Sequence, residues 1–146
     1  MSLRAIPITV LGFILYNIIV LFSGSPEGAA DGAAAARALL GTELFSFPMI
    51  SGARWSFTWA DLILIAMLVL LFIELLKATY TSTASLVDHG LSMIIFIAAL
   101  VEFLIIQQAA TSVFFIILVT LLIDVVAGFT IGIRVAKRDI GFGGDQ

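Results

Sequence analysis

The sequence predicts an all-α membrane protein: a four-helix transmembrane bundle with a small outer-face cap, a short helix plus a β-hairpin, between the first and second spans. Three observations predict it. Hydrophobic residues make up 62% of the 146-residue chain and charged ones only 12%, against about 45–50% and about 25% in soluble domains. Four apolar stretches, residues 5–22, 57–79, 89–106 and 112–134, are long enough to cross the membrane; spanning ~30 Å of hydrocarbon takes roughly 17–25 residues. Residues 44–59, "LFSFPMISGARWSFTW", switch to a period of two, the mark of strands. The whole chain reads as one integral membrane domain, residues 1–146, with an outer loop at 23–56.

The first stretch has Arg4 before it and "FSGS" after it, as a signal peptide would. Its apolar core is longer than a usual signal core and Pro26 follows closely, so it is read as a retained helix. Orientation follows from Lys and Arg near the helix ends. With four crossings, Arg4, Lys77, Arg134, Lys137 and Arg138 share one side, and Arg37 and Arg54 lie on the other, together with Glu27, Asp31 and Glu43. Five against two places both termini in the cytoplasm of a cell membrane, the inner membrane in a bacterium. The third and fourth helices, joined by the short "QQAAT", form an antiparallel pair.

In the outer loop, "DGAAAARALLG" reads as a short helix capped by Asp31 and stopped at Gly41. Phe45, Phe47, Met49, Trp55, Phe57 and Trp59 fall on one face of the hairpin, and Ser46, Arg54, Ser56 and Thr58 on the other. A lone hairpin is marginal in water. The aromatic face is therefore expected to pack on the outer ends of the helices, with Trp at headgroup depth, Pro48 on an edge strand and Gly52 in the turn. "TWAD" spells a capping box, Thr58 with Asp61. The tail "GFGGDQ" is polar and glycine-rich.

An ionisable group within hydrocarbon costs about 2.5–3.5 kcal/mol on insertion scales, so each needs a reason. Glu74 and Lys77, three apart on one helix face, form an ion pair. Thr120, Asp124, Gly128 and Gly132 are spaced by four and make a helix-packing seam, with Asp124 buried in it as a neutral carboxyl bonded to a neighbouring helix. Glu102 lies in the outer part of the third helix, on the side of Ala98 and Ala99, and Asn17 in the outer half of the first. With Asp61 they form an expected outer polar cluster. Asp88 is placed as the N-cap of the third helix, which puts His89 at the inner water interface. By depth, Glu102, Asp124 and His89 descend through the membrane as a sparse set of proton- or cation-carrying groups.

Composition narrows function. A net charge of −3 leaves no basic face, so nucleic acid is not an expected partner. Cysteines are absent and there is one histidine, so no metal cluster is expected. No nucleophile–base triad, phosphate loop or dinucleotide fingerprint occurs, so neither an enzyme nor a cofactor is expected. The sequence reads as a small non-catalytic integral membrane protein, a scaffold or accessory subunit. Its expected partners are the lipid bilayer and either copies of itself, as a homo-oligomer, or other membrane subunits. The alternative is a proton- or cation-linked transport element using the intramembrane carboxylates.

Overall fold

The computed structural model describes residues 6–22, 31–79 and 83–141, giving the backbone alone for Phe22, 83–86 and 135–141. Arg4, Pro26, Glu27 and the tail beyond Gly141 lie outside the described residues, as do the side chains of Lys137 and Arg138. The order is α1 (Val10–Phe22), α2 (Gly32–Leu40), β1 (Glu43–Pro48), β2 (Arg54–Thr58), α3 (Trp59–Ala78), α4 (Thr83–Ile105), a 3₁₀ turn (Gln107–Ala109) and α5 (Ser112–Gly141). The chain is mostly helical. Three helical stretches, Trp59–Ala78, Val87–Ile105 and Ser112–Arg134, are long and apolar enough to cross a membrane.

Helices α1, α3, α4 and α5 contribute to one core, built from Tyr16, Ile63, Met67, Ala99, Phe114, Ile117 and Leu121. Outward-facing positions stay apolar, among them Leu68, Phe72, Ile94, Ile105 and Val126. Helices that are apolar all round suit a lipid surround rather than water. Gly12 lets α1 approach α3: a Cβ there would overlap the Met67 side chain.

At one end, called here the hairpin end, α2 lies against the α4–α5 turn. Ala35, Ala36 and Leu40 are its buried face. Asp31 Oδ1 accepts from the Ala34 N–H at 2.7 Å and caps it, and the Gly41 N–H closes it on Arg37 O. Gly32 N–H donates to Gln107 Oε1 at 3.3 Å.

The hairpin is antiparallel, pairing Phe45 with Phe57, Phe47 with Trp55 and Pro48 with Arg54, with the ladder skipping Leu44. Its turn closes through Gly52 N–H to Met49 O, with Gly52 at φ +83°. Pro48, lacking an N–H, is tolerated because both strands of a two-stranded sheet are edges. Phe45 and Phe57 stack at 4.6 Å, and Phe47 lies over Trp55 at 6.5 Å. The opposite face holds Arg54 Nε to Ser46 Oγ at 2.9 Å and the Ser56 hydroxyl on Glu43. Hydrogen bonds from Ser56 and then Ser46 hold the exposed Glu43 carboxyl below its usual range.

The expected packing of the aromatic face on the helices is corrected. Only Phe57, at the root, is buried, whereas Phe47 is 53% exposed and Trp55 48%. A strand rises ~3.3 Å per residue, so each step toward the tip carries the rings away from α3. Trp59 is already the first residue of α3, though its N–H still donates to Thr42 O at 3.3 Å. The capping box is present: Thr58 N–H donates to Asp61 Oδ2 at 2.9 Å and Asp61 N–H to Thr58 Oγ1 at 3.4 Å.

Two helix starts are also corrected. α1 begins at Val10 and has 13 residues, because residues 7–9 form i→i+3 turns instead, Pro7 O accepting from Val10 N–H and Ile8 O from Leu11 N–H. α4 begins at Thr83, so Asp88 lies inside the helix and caps nothing, and His89 is buried, 2% exposed, not at a water interface.

Candidate functional site

Away from the hairpin end, polar side chains from four segments converge. α3 supplies Glu74 and Lys77, one turn apart, in an ion pair of 2.7 Å. α4 supplies Asp88, whose two oxygens lie 3.1 and 3.0 Å from Lys77 Nζ. Two carboxylates thus share one ammonium. Four residues beyond Asp88, on the α4 face toward α5, the pattern continues: Ser92 donates to Asp124 Oδ2 of α5 at 3.1 Å. Thr9, just ahead of α1, donates to the same oxygen at 2.8 Å.

The N-terminal lead-in closes the set. Ile8 N–H donates to Glu74 Oε2 at 2.6 Å, and Lys77 Nζ donates to Ile6 O at 2.9 Å. The first N–H groups of a helix have no intrahelical acceptor. Here a carboxylate from another helix accepts at that end, where the helix dipole favours negative charge.

The small-residue stripe of α5 lies against His89 of α4. Thr120, Asp124 and Gly128 are buried along α5. The His89 imidazole of α4 lies directly over Gly128, where a Cβ would come within 2.6 Å of its Cε1, and Gly132 stands one turn further along. The ring is also tilted against Phe129 at 5.9 Å. Thr120 returns its hydroxyl to Ile116 O.

Glu74, Asp88, His89, Ser92, Thr9 and Asp124 are each 2% exposed or less. Lys77 is the outlet, its side chain 19% exposed. Among the described residues, three carboxyl groups therefore face one ammonium and one imidazole. With all three ionised, −3 + 1 leaves −2 with a neutral imidazole and −1 with a charged one.

Glu102 does not join this network. Its Oε2 accepts from Asn17 Nδ2 at 3.4 Å, and Asn17 also donates to Phe13 O. Asp61, expected beside them, instead accepts from Thr58. Nearby, the Tyr16 hydroxyl bonds Gln108 O and Thr111 Oγ1, both at 2.8 Å. Ser92 and Glu102 are ten residues apart on α4, about 15 Å of helix. Ile63, Met67, Ile117 and Leu121, all 1% exposed or less, fill the level between. Of the three groups expected to descend in sequence, His89 and Asp124 lie on one side of an apolar layer and Glu102 on the other.

Sequence reasoning found Glu74, Lys77, Asp124 and the glycines. It missed Thr9 and Ser92, for which an uncharged hydroxyl in an apolar run is a faint signal. It also missed the role of Asp88, which helical spacing from Ser92 (four residues) would have put on the same face. Comparison with protein families, with characterised proteins and with solved structures finds no match.

Proposed function

We propose that the chain is a multi-pass, non-catalytic membrane protein in which α1, α3, α4 and α5 cross the bilayer as a four-helix bundle, and that its buried charge network takes up and releases protons as part of transport. The observation that carries this is the excess of acid over base among the described buried groups. An uncompensated buried charge is strongly unfavourable, and a proton is the smallest compensation. Among the described residues no group of His, Asp and Glu is arranged to hold a metal ion, which favours a proton over a bound divalent cation.

The short α1 is compatible with a fourth crossing. Its 13 residues give about 20 Å, and the four lead-in residues at ~2.0 Å each add about 8 Å, together close to the ~30 Å core. The Lys and Arg distribution supports cytoplasmic termini, which puts the network in the inner half of a cell membrane and the hairpin outside.

Reconstituted into vesicles loaded with a pH-sensitive dye, the protein should dissipate an imposed pH difference faster than protein-free vesicles do, and Asp124→Asn should abolish the excess. Folded wild-type protein that adds no proton leak would defeat this reading. A leak that requires sodium or potassium would reassign it to a cation.

A second reading, a scaffold or accessory subunit that self-associates or joins other membrane chains, draws on the aromatic hairpin face left uncovered by the chain's own helices. The mass of the particle purified in mild detergent tests it: a mass well above one chain plus detergent supports assembly, and a monomer counts against it.

A further inference from the structure

We infer that residues 6–9, the lead-in to α1, form a latch over the charge network, closed while the network's carboxylates are ionised and loosened when they take up protons. This rests on the proton-linked reading and names how the same site would be gated.

The geometry is specific. Three of the four residues are held by three different ionisable side chains from two helices: Ile6 O by Lys77, Ile8 N–H by Glu74, and the Thr9 hydroxyl by Asp124. Two of these bonds are anchored on carboxylates, and the third on the ammonium that Glu74 and Asp88 position. Pro7 and Thr9 are fully buried, so the segment is packed into the protein directly beside the network. Ile6, 41% exposed, marks where the segment emerges, next to the one partly exposed member of the network, Lys77. The segment thus packs on the buried acids at the level where Lys77 is partly exposed.

The strength of these contacts depends on charge. A hydrogen bond to an ionised group is roughly twice as strong as a neutral one. Protonating Glu74 removes the anionic acceptor of Ile8 N–H and also releases Lys77 toward Asp88 alone. Protonating Asp124 weakens the hold on Thr9. Among the described residues, the charged and titratable groups facing the segment's network are Glu74 and Lys77 from α3, Asp88 and His89 from α4, and Asp124 from α5. Loss of negative charge at Glu74 and at Asp124 acts in the same direction, since each accepts from the segment. A charged His89, the counter-case, would favour ionised Asp124 and keep the latch closed.

Hydrogen exchange at the Ile8 amide reads the latch directly. In bilayer-mimetic discs, after correction for intrinsic exchange, Ile8 protection should fall about tenfold between mildly alkaline and mildly acidic buffer. In Glu74→Gln it should be low, with most of its pH dependence gone. Thr9→Val, which alters no charge, should lower protection at every pH while leaving its pH dependence in place. Amides of Ile117 and Leu121 provide the check that each variant is folded. A wild-type Ile8 protection that does not vary with pH would overturn the latch, as would an unchanged pH dependence in folded Glu74→Gln. Vesicle proton flux, measured on the same preparation, separates the two ideas: flux with flat Ile8 protection removes the latch alone, whereas a pH-dependent Ile8 without flux upholds the latch and removes transport.

Discussion

Gly128 and Gly12 both admit a neighbour where no Cβ fits, but the neighbours differ. At Gly128 the obstacle is the whole imidazole of His89, a rigid ring buried between α4 and α5, with Cε1 at 2.6 Å and Cγ at 3.0 Å from the built Cβ. At Gly12 it is the side chain of Met67, which has three rotatable bonds and adapts. Gly128→Ala should therefore lower the melting temperature in detergent by an amount matching overpacking, ~1–3 kcal/mol, and Gly12→Ala by clearly less. His89→Ala in the Gly128→Ala background should restore part of the loss. Equal effects at the two glycines would mean that the His89 ring moves as freely as a methionine. At Gly52 there is open space but a φ of +83°, so Gly52→Val should cost ~1–2 kcal/mol from the backbone alone, with Gly52→Asn milder. A thermal melt of the three proteins separates strain from crowding.

At the scale of elements, the hairpin and α3 are one continuous unit, since Thr58 ends β2 and caps α3. Phe57 is buried at their junction and Trp55 is half exposed. Phe57→Ala should then approach the ~3–5 kcal/mol cost of emptying a packed aromatic site, while Trp55→Ala should leave the melting temperature nearly unchanged. A large loss at Trp55 would show that the aromatic face is covered after all. Much of this element was legible in the sequence. Alternation gave both strands, glycine gave the turn, and "TWAD" gave the capping box, because each depends on residues close together in the chain. What the hairpin packs against was not legible. Alternation assigns residues to a face without saying what lies opposite that face.

The same boundary holds for the molecule as a whole. Periodicity located the long apolar helices and the Thr120–Asp124–Gly128 stripe, yet it carries no information on how each helix is rotated against the others. The lead-in to α1 joins the charge network across 66 to 115 positions of sequence, as in Ile8 with Glu74 and Thr9 with Asp124. Only packing brings them together. Asp88 and His89 looked interfacial because α4 was expected to start at residue 89. The five or so extra helical residues before them carry both into the protein. The topology has its own test. Cysteines at Ser51 and Gly144 should label from opposite sides of the membrane, with Ser51 reached by an impermeant reagent from outside. Labelling of Gly144 from outside would reverse the orientation and place the network in the outer half.

On the proposed reading, Glu74 and Asp124 exchange protons with solution although both are buried. Infrared difference spectroscopy between alkaline and acidic buffer reads carboxyl protonation without requiring any transport to occur. The wild-type protein should show a protonated-carboxyl carbonyl band appearing as pH falls, and Asp124→Asn and Glu74→Gln should each remove or shift part of it. A spectrum with no carboxyl band responding to pH, or one unchanged in both variants, would contradict the account.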